Sequence, residues 1–180
     1  MHTVYYPPVP GAIPLRETLR YGCEIDIYGR VNHGGHKNFS IELLSGPHIV
    51  LHVNFRFHHD HDVVMNTYCG SWGNEIRHRN PLKHDQEFHL HIHAHEEYYE
   101  IELNGTPLAH FPHRFPMECV QALGMKGEVV IERVEFSGFH FHIDWNCDGH
   151  DYGHAGYTHY GSERYEPPTF HETHPYNAYF

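Results

Sequence analysis

Residues 88–103 alternate so strictly that a paired β-strand is the structure they fit. In FHLHIHAH, Phe88, Leu90, Ile92 and Ala94 fall on one face, and His89, His91, His93 and His95 on the other. After Glu96-Glu97, the run YYEIEL puts Tyr99, Ile101 and Leu103 on one side and Glu100 and Glu102 on the other. A two-residue turn at 96–97 pairs Ile92 with Ile101 and Leu90 with Leu103. The same register sets His93 beside Glu100 and His91 beside Glu102. Both faces agree, which fixes the register, because a one-residue slip would move every apolar side chain to water.

Similar short runs recur between Gly, Pro and Asn punctuation at 23–29, 38–44, 48–57, 62–67, 73–78, 107–111, 117–123 and 127–136. Little of the chain has a helical period. Pro7, Pro8 and Pro10 predict an extended, turn-like N-terminus. Many short strands separated by turn signals predict an all-β, two-sheet antiparallel sandwich. After about residue 137 the character changes. Residues 138–180 carry seven histidines, six tyrosines and five glycines, and Ile143 is their only Ile, Leu or Val. The chain thus divides into a domain over 1–137 and a His/Tyr/Gly-rich extension over 138–180. The extension is either a flexible tail or an aromatic strap laid on the sandwich.

Composition narrows the function classes. With 23 acidic and 12 basic residues the formal net charge is -11, and no basic stripe is present, so nucleic acid is excluded as a partner. The 23 histidines make any charge-driven property depend on pH. No apolar run approaches membrane-spanning length, so membrane insertion is not expected. Cys23, Cys69, Cys119 and Cys147 have long irregular gaps and no CxxC. With no classical signal sequence at the N-terminus, the expectation is a cytoplasmic chain with free thiols, and a non-classical route if it is exported. Asn38-Phe-Ser40 and Asn104-Gly-Thr106 match the glycosylation pattern, which a chain outside the secretory lumen would not use.

One polar cluster has no counterpart elsewhere in the chain. His52, Asn54 and Arg56 sit at i, i+2, i+4, so they leave one face of one strand, while Val53, Phe55 and Phe57 anchor the other face. Asn66 follows. SWGNEIR then supplies Trp72, Glu75 and Arg77. Solvent-facing strands and a core tryptophan would be the plain reading of these residues. Against that reading, Arg and Asn present fixed forks of donors and acceptors, and Trp72 is flanked by small residues. Such a set can hold a sugar, with hydrogen bonds to hydroxyls in one plane and an aromatic plate for the C–H face of the ring.

The order His-x-Asn-x-Arg, then Asn, then Trp-Gly-x-Glu-x-Arg resembles the galectin signature, carried here by His52, Asn54, Arg56, Asn66, Trp72, Gly73, Glu75 and Arg77. PPVPGAIPLRETLRYGCEIDIYG resembles the family's opening strand and turn. FHLHIHAHEEYYEIELNG and LAHFPHRFP resemble later strands, including Phe111, His113 and Arg114, and GEVVIERVEF resembles the closing one. The resemblance spans roughly residues 4–137. The compact loops, with nine residues between Arg56 and Asn66 and five between Asn66 and Trp72, are similar to those of invertebrate, nematode-like members.

The resemblance implies a jelly-roll, galectin-like (concanavalin A-like) sandwich that binds β-galactoside glycans of glycoproteins or glycolipids on its concave face. It implies no calcium, no cofactor and no catalysis. His52, Asn54 and Arg56 would bond the axial O4 of galactose. Asn66 and Glu75 would take O6, with Glu75 also helping the next sugar. Trp72 would stack on the ring, and Arg77 would reach the second sugar. An equatorial O4 would leave the trio unpaired. The family usually has Pro where this chain has Phe55, and Phe suits an inward strand position.

Three rival readings compete with this one. Histidines at 89, 91, 93 and 95 are spaced ~6.6 Å apart along a strand, wide for one zinc ion. Glu100 or Glu102 could add a ligand, and His58, His59, Asp60, His61 and Asp62 form a denser loop cluster, but no resident metal is assigned to either group. A glycosidase needs two carboxylates across the scissile bond, and the cluster offers only Glu75. A galectin-like protein-interaction or scaffolding module, with the sugar site idle, is the remaining alternative. A homodimer through the outer sheet or terminal strands is compatible with the sequence.

Overall fold

The computed structural model describes residues 1–34, 37–146 and 155–168. Two six-stranded sheets face each other. The strands are β1 (His2–Tyr5), β2 (Gly11–Pro14), β3 (Glu24–Val31), β4 (Asn38–Ser45), β5 (His48–Arg56), β6 (Asp62–Tyr68), β7 (Ile76–Arg79), β8 (Glu87–Ala94), β9 (Tyr98–Leu103), β10 (Thr106–Pro112), β11 (Ala122–Gly127) and β12 (Val129–Ser137). One sheet has the order β1-β12-β3-β8-β9-β10 and the other β2-β11-β4-β5-β6-β7, and every pairing is antiparallel. This is the expected all-β jelly-roll sandwich.

The β8–β9 hairpin has the register that the alternation requires: Leu90 opposes Leu103, Ile92 opposes Ile101, His91 opposes Glu102 and His93 opposes Glu100. Leu90, Ile92, Ile101 and Leu103 are buried. Phe55 lies fully inside, stacked on Phe39 with ring centroids 4.7 Å apart. Burying one such ring contributes about 2–3 kcal/mol, so the inward side of β5 is firmly tied down behind the polar trio.

Three local expectations are corrected. The proline-rich start is not merely turn-like, since β1 and β2 join opposite sheets. Residues 117–123 are not a strand throughout. Met117–Cys119 is a 3₁₀ turn, and β11 starts only at Ala122. The strand expected at 73–78 begins at Ile76, so Glu75 stands just before it.

Beyond residue 137 the chain adds to the core. Phe139 and Trp145 are buried and pack with Phe136 and Phe141. Residues 155–168 lie on the open face of the second sheet. There Tyr157 and Tyr160 form a small apolar cluster with Leu44 and Ala122. His150, His154, His171, His174 and Cys147 lie outside the described residues.

Candidate functional site

Strand pairing brings the polar cluster together. His52 opposes Asn66 across β5–β6, Asn54 opposes Val64, and Val64 opposes Arg77 across β6–β7. His52, Arg56, Val64, Asn66, Trp72, Gly73 and Glu75 line a cleft of about 270 Å³. Trp72 is half exposed at 50 %, which rules out the core-tryptophan reading. Its ring stands 4.7 Å from that of His52 and 5.2 Å from that of Tyr68, edge-on to the latter. The Gly70 turn, at φ +74°, swings the backbone back so that Trp72 bridges to Tyr68.

The polar groups hold each other in place. Asn54 is nearly buried. Its amide donates to Asn38 Oδ1, Phe39 O and Ser40 Oγ, and its Oδ1 accepts from Arg56 Nε at 2.8 Å. Arg56 Nη1 then donates to Asp60 Oδ2 at 2.9 Å. Arg77 Nε donates to Glu75 Oε2 at 2.7 Å, and its Nη1 reaches Asp60 and Asp62 at 3.4 and 3.3 Å. The bond from Arg56 foremost holds the Asp60 carboxyl below its usual range. Asn66 donates to Gly73 O at 2.9 Å, and its Oδ1 accepts from Thr67 N and Arg114 Nη1. Rigid forks of this kind cost little ordering when a hydroxyl docks.

Several contributors lie outside the set expected to touch the sugar. Asp60 and Asp62, read there as part of a dense loop cluster, serve as ion-pair partners of Arg56 and Arg77. Arg114 buttresses Asn66 and the Asn74 carbonyl from β10's side, over the Phe111 ring. Glu42 on β4 is buried directly beside His52. His52 Nδ1 donates to Glu42 Oε2 at 2.5 Å, and because a carboxylate can only accept, Nδ1 carries the proton. The cluster therefore holds more carboxylates than Glu75 alone. Each of them is engaged by an arginine or a histidine.

On the outer face of the other sheet, the histidine row is interleaved with carboxylates from β3 as well as β9. Asp26 Oδ1 accepts from His89 and His91 at 2.6 and 2.7 Å, and His95 faces Glu100. Three overlapping His/carboxylate groups lie close enough for a shared ion. This corrects the view that strand spacing keeps the histidines apart, since the side chains converge where the backbone does not. In the described structure the carboxylates act as hydrogen-bond partners of the rings.

Comparison with known proteins agrees with this geometry. Residues 10–136 match the family model described as galactoside-binding lectin. The chain is 62% identical over the full length of both chains to the probable galaptin lec-8 of Caenorhabditis elegans. It is 44% identical to the probable galaptin lec-7 of the same organism, covering 81% of this chain and 82% of that one. Among solved structures it resembles the C. elegans galectin LEC-6, with a TM-score of 0.71 and 27% identity over 75% of this chain and 95% of that one.

Proposed function

This chain belongs to the galactoside-binding lectin family and is a non-catalytic β-galactoside-binding lectin, and from that premise we propose that the cleft beside Trp72 seats one galactose ring of a glycoprotein or glycolipid glycan. The observation that carries the proposal is the half-exposed Trp72 ring set against a polar trio already locked by its own hydrogen bonds. The ring's apolar C–H face would lie on Trp72. The axial O4 would meet His52, Asn54 and Arg56. Asn66 and Glu75 would take O6, and Arg77 would border the next sugar.

Several features support these roles. Arg56 lines the cleft with its Nε held by Asn54 Oδ1 and its Nη1 by Asp60, so the guanidinium is fixed in place. Glu75 is fixed by two Arg77 nitrogens at 2.7 and 2.6 Å and retains oxygen lone pairs for hydroxyl hydrogens. A glucose-type equatorial O4 would cover the trio without bonding it, leaving the hydroxyl-facing positions unsatisfied, which is the physical basis of galactose preference.

Lactose titration tests this reading through tryptophan fluorescence. Of the two tryptophans, Trp145 is buried in the core and Trp72 is not, so a Trp145→Phe variant isolates the cleft signal. Lactose should shift that emission saturably and cellobiose should not. Equal responses to both sugars, or none to either, would overturn the assignment.

A further inference from the structure

The row of opposed residues that contains His52 continues past Glu42. Gly124 on β11 opposes Glu42, Glu42 opposes His52, and His52 opposes Asn66. Tyr160, from the segment 155–168, sits on Gly124 so closely that a Cβ there would lie 2.5 Å from its ring. Its hydroxyl donates to Glu42 Oε1. The other carboxylate oxygen accepts from His52 Nδ1. Lys126 Nζ adds a third contact, 3.4 Å from Oε1.

A buried carboxylate persists only where such partners compensate its lost hydration. Burial alone would raise the Glu42 carboxyl, but the His52 bond, the Lys126 charge and the Tyr160 hydroxyl together bring it below its usual value. The Tyr160 phenol is itself pushed far up by burial, so it stays a donor. Glu42 Oε2 is thus engaged by His52 at the sugar cleft, and Oε1 by Tyr160 of the overlying segment and Lys126 of β11.

We propose that Glu42 and Tyr160 are positioning residues of the galactoside site. Tyr160 holds the Glu42 carboxylate, and Glu42 holds the His52 ring with its proton on Nδ1, leaving Nε2 as the hydroxyl acceptor in the cleft. The segment 155–168 is thereby a working part of the site, joined to His52 of the family signature through Glu42. This inference rests on the galactoside reading.

The full chain with lactose as probe tests it, with two readouts. The first is the dissociation constant. The second is the His52 ring-nitrogen NMR signature of the sugar-free protein, which reports the tautomer whether or not any sugar binds. Loss of a charge-assisted bond in Glu42→Gln should weaken lactose about tenfold, and Tyr160→Phe about threefold. In Glu42→Gln the His52 signals should leave the single Nδ1–H form for a mixture. Tyr157→Phe loosens the same segment without touching Glu42, because Tyr157 Oη bonds Gly46 N and Gln121. It should leave the His52 signals unchanged. Unaltered His52 signals and unaltered lactose affinity in both Glu42→Gln and Tyr160→Phe would overturn the proposal. Failure of the wild-type chain to bind lactose, with its His52 tautomer intact, would instead overturn the galactoside reading and this role with it.

Discussion

Arg114 donates from Nη1 to the Asn66 Oδ1 at 3.0 Å, from a strand-end loop forty-eight residues away in sequence. The same guanidinium donates to the Asn74 carbonyl at 2.7 Å, so one side chain fixes both the floor of the cleft and the loop that carries Trp72. A lysine at this position keeps the charge but loses the fork. Both Arg114→Ala and Arg114→Lys should therefore weaken lactose binding, by about three- to tenfold. Isothermal titration measures this, and a Lys variant with wild-type affinity would show that charge alone suffices.

Trp72 contributes little to the fold, because half of it faces solvent and its neighbours His52 and Tyr68 are anchored independently. Trp72→Ala should abolish retention on immobilised galactoside while changing stability by no more than about 0.5–1 kcal/mol. Column retention and urea denaturation on the same preparation separate the two effects. A large loss of stability would make Trp72 a packing residue after all.

Gly124 is the seat of Tyr160. A methyl group there cannot coexist with the ring in its present place, since the backbone of β11 is paired on both sides. Gly124→Ala should lift the segment 155–168 from the sheet. Limited proteolysis should then cleave this segment faster in the variant, while the β8–β9 hairpin stays protected. Equal cleavage rates would mean that the ring shifts aside without releasing the segment.

The outer face supplies a pH-dependent stability term. The bond from Asp26 raises His91 above its ordinary 6.5, so its stabilisation is complete below that pH and is lost as pH rises through the raised value. Burial would raise Asp26, but the bonds from His91 and His89 outweigh it and hold the carboxyl below 3.8. Its share is complete above 3.8 and is lost as pH falls through the lowered value. The Tm difference between wild type and Asp26→Asn should therefore be widest between about pH 4 and pH 6.5, and should narrow on both sides. A difference that is flat from pH 4 to pH 9 would exclude this coupling.

How much of this was legible in the chain depended on whether one strand carried the signal. The hairpin could be read to the residue because its two faces obey the same period, and an error in one would have shown in the other. His52, Asn54 and Arg56 were legible for the same reason. Glu42 was not, because NFSIELL reads as an ordinary strand with a polar side, and that side becomes an interior only when Tyr160 covers it. Arg114 was visible as part of a motif, but its task depends on a loop that packs across from another strand. The prolines hid β2, whose four residues run from Gly11 to Pro14, and β1 is only four residues long ahead of them.

The bond between Tyr160 and Glu42 joins positions 118 residues apart. On a ribosome the strands that bear the sugar-contacting side chains emerge well before Tyr160 does. A nascent chain could therefore assemble both sheets and still hold Glu42 open to water, with Gly124 as an empty notch beside it. The maturation of the lectin would then have a late step, the docking of one phenol, that is separable in time from the collapse of the sandwich.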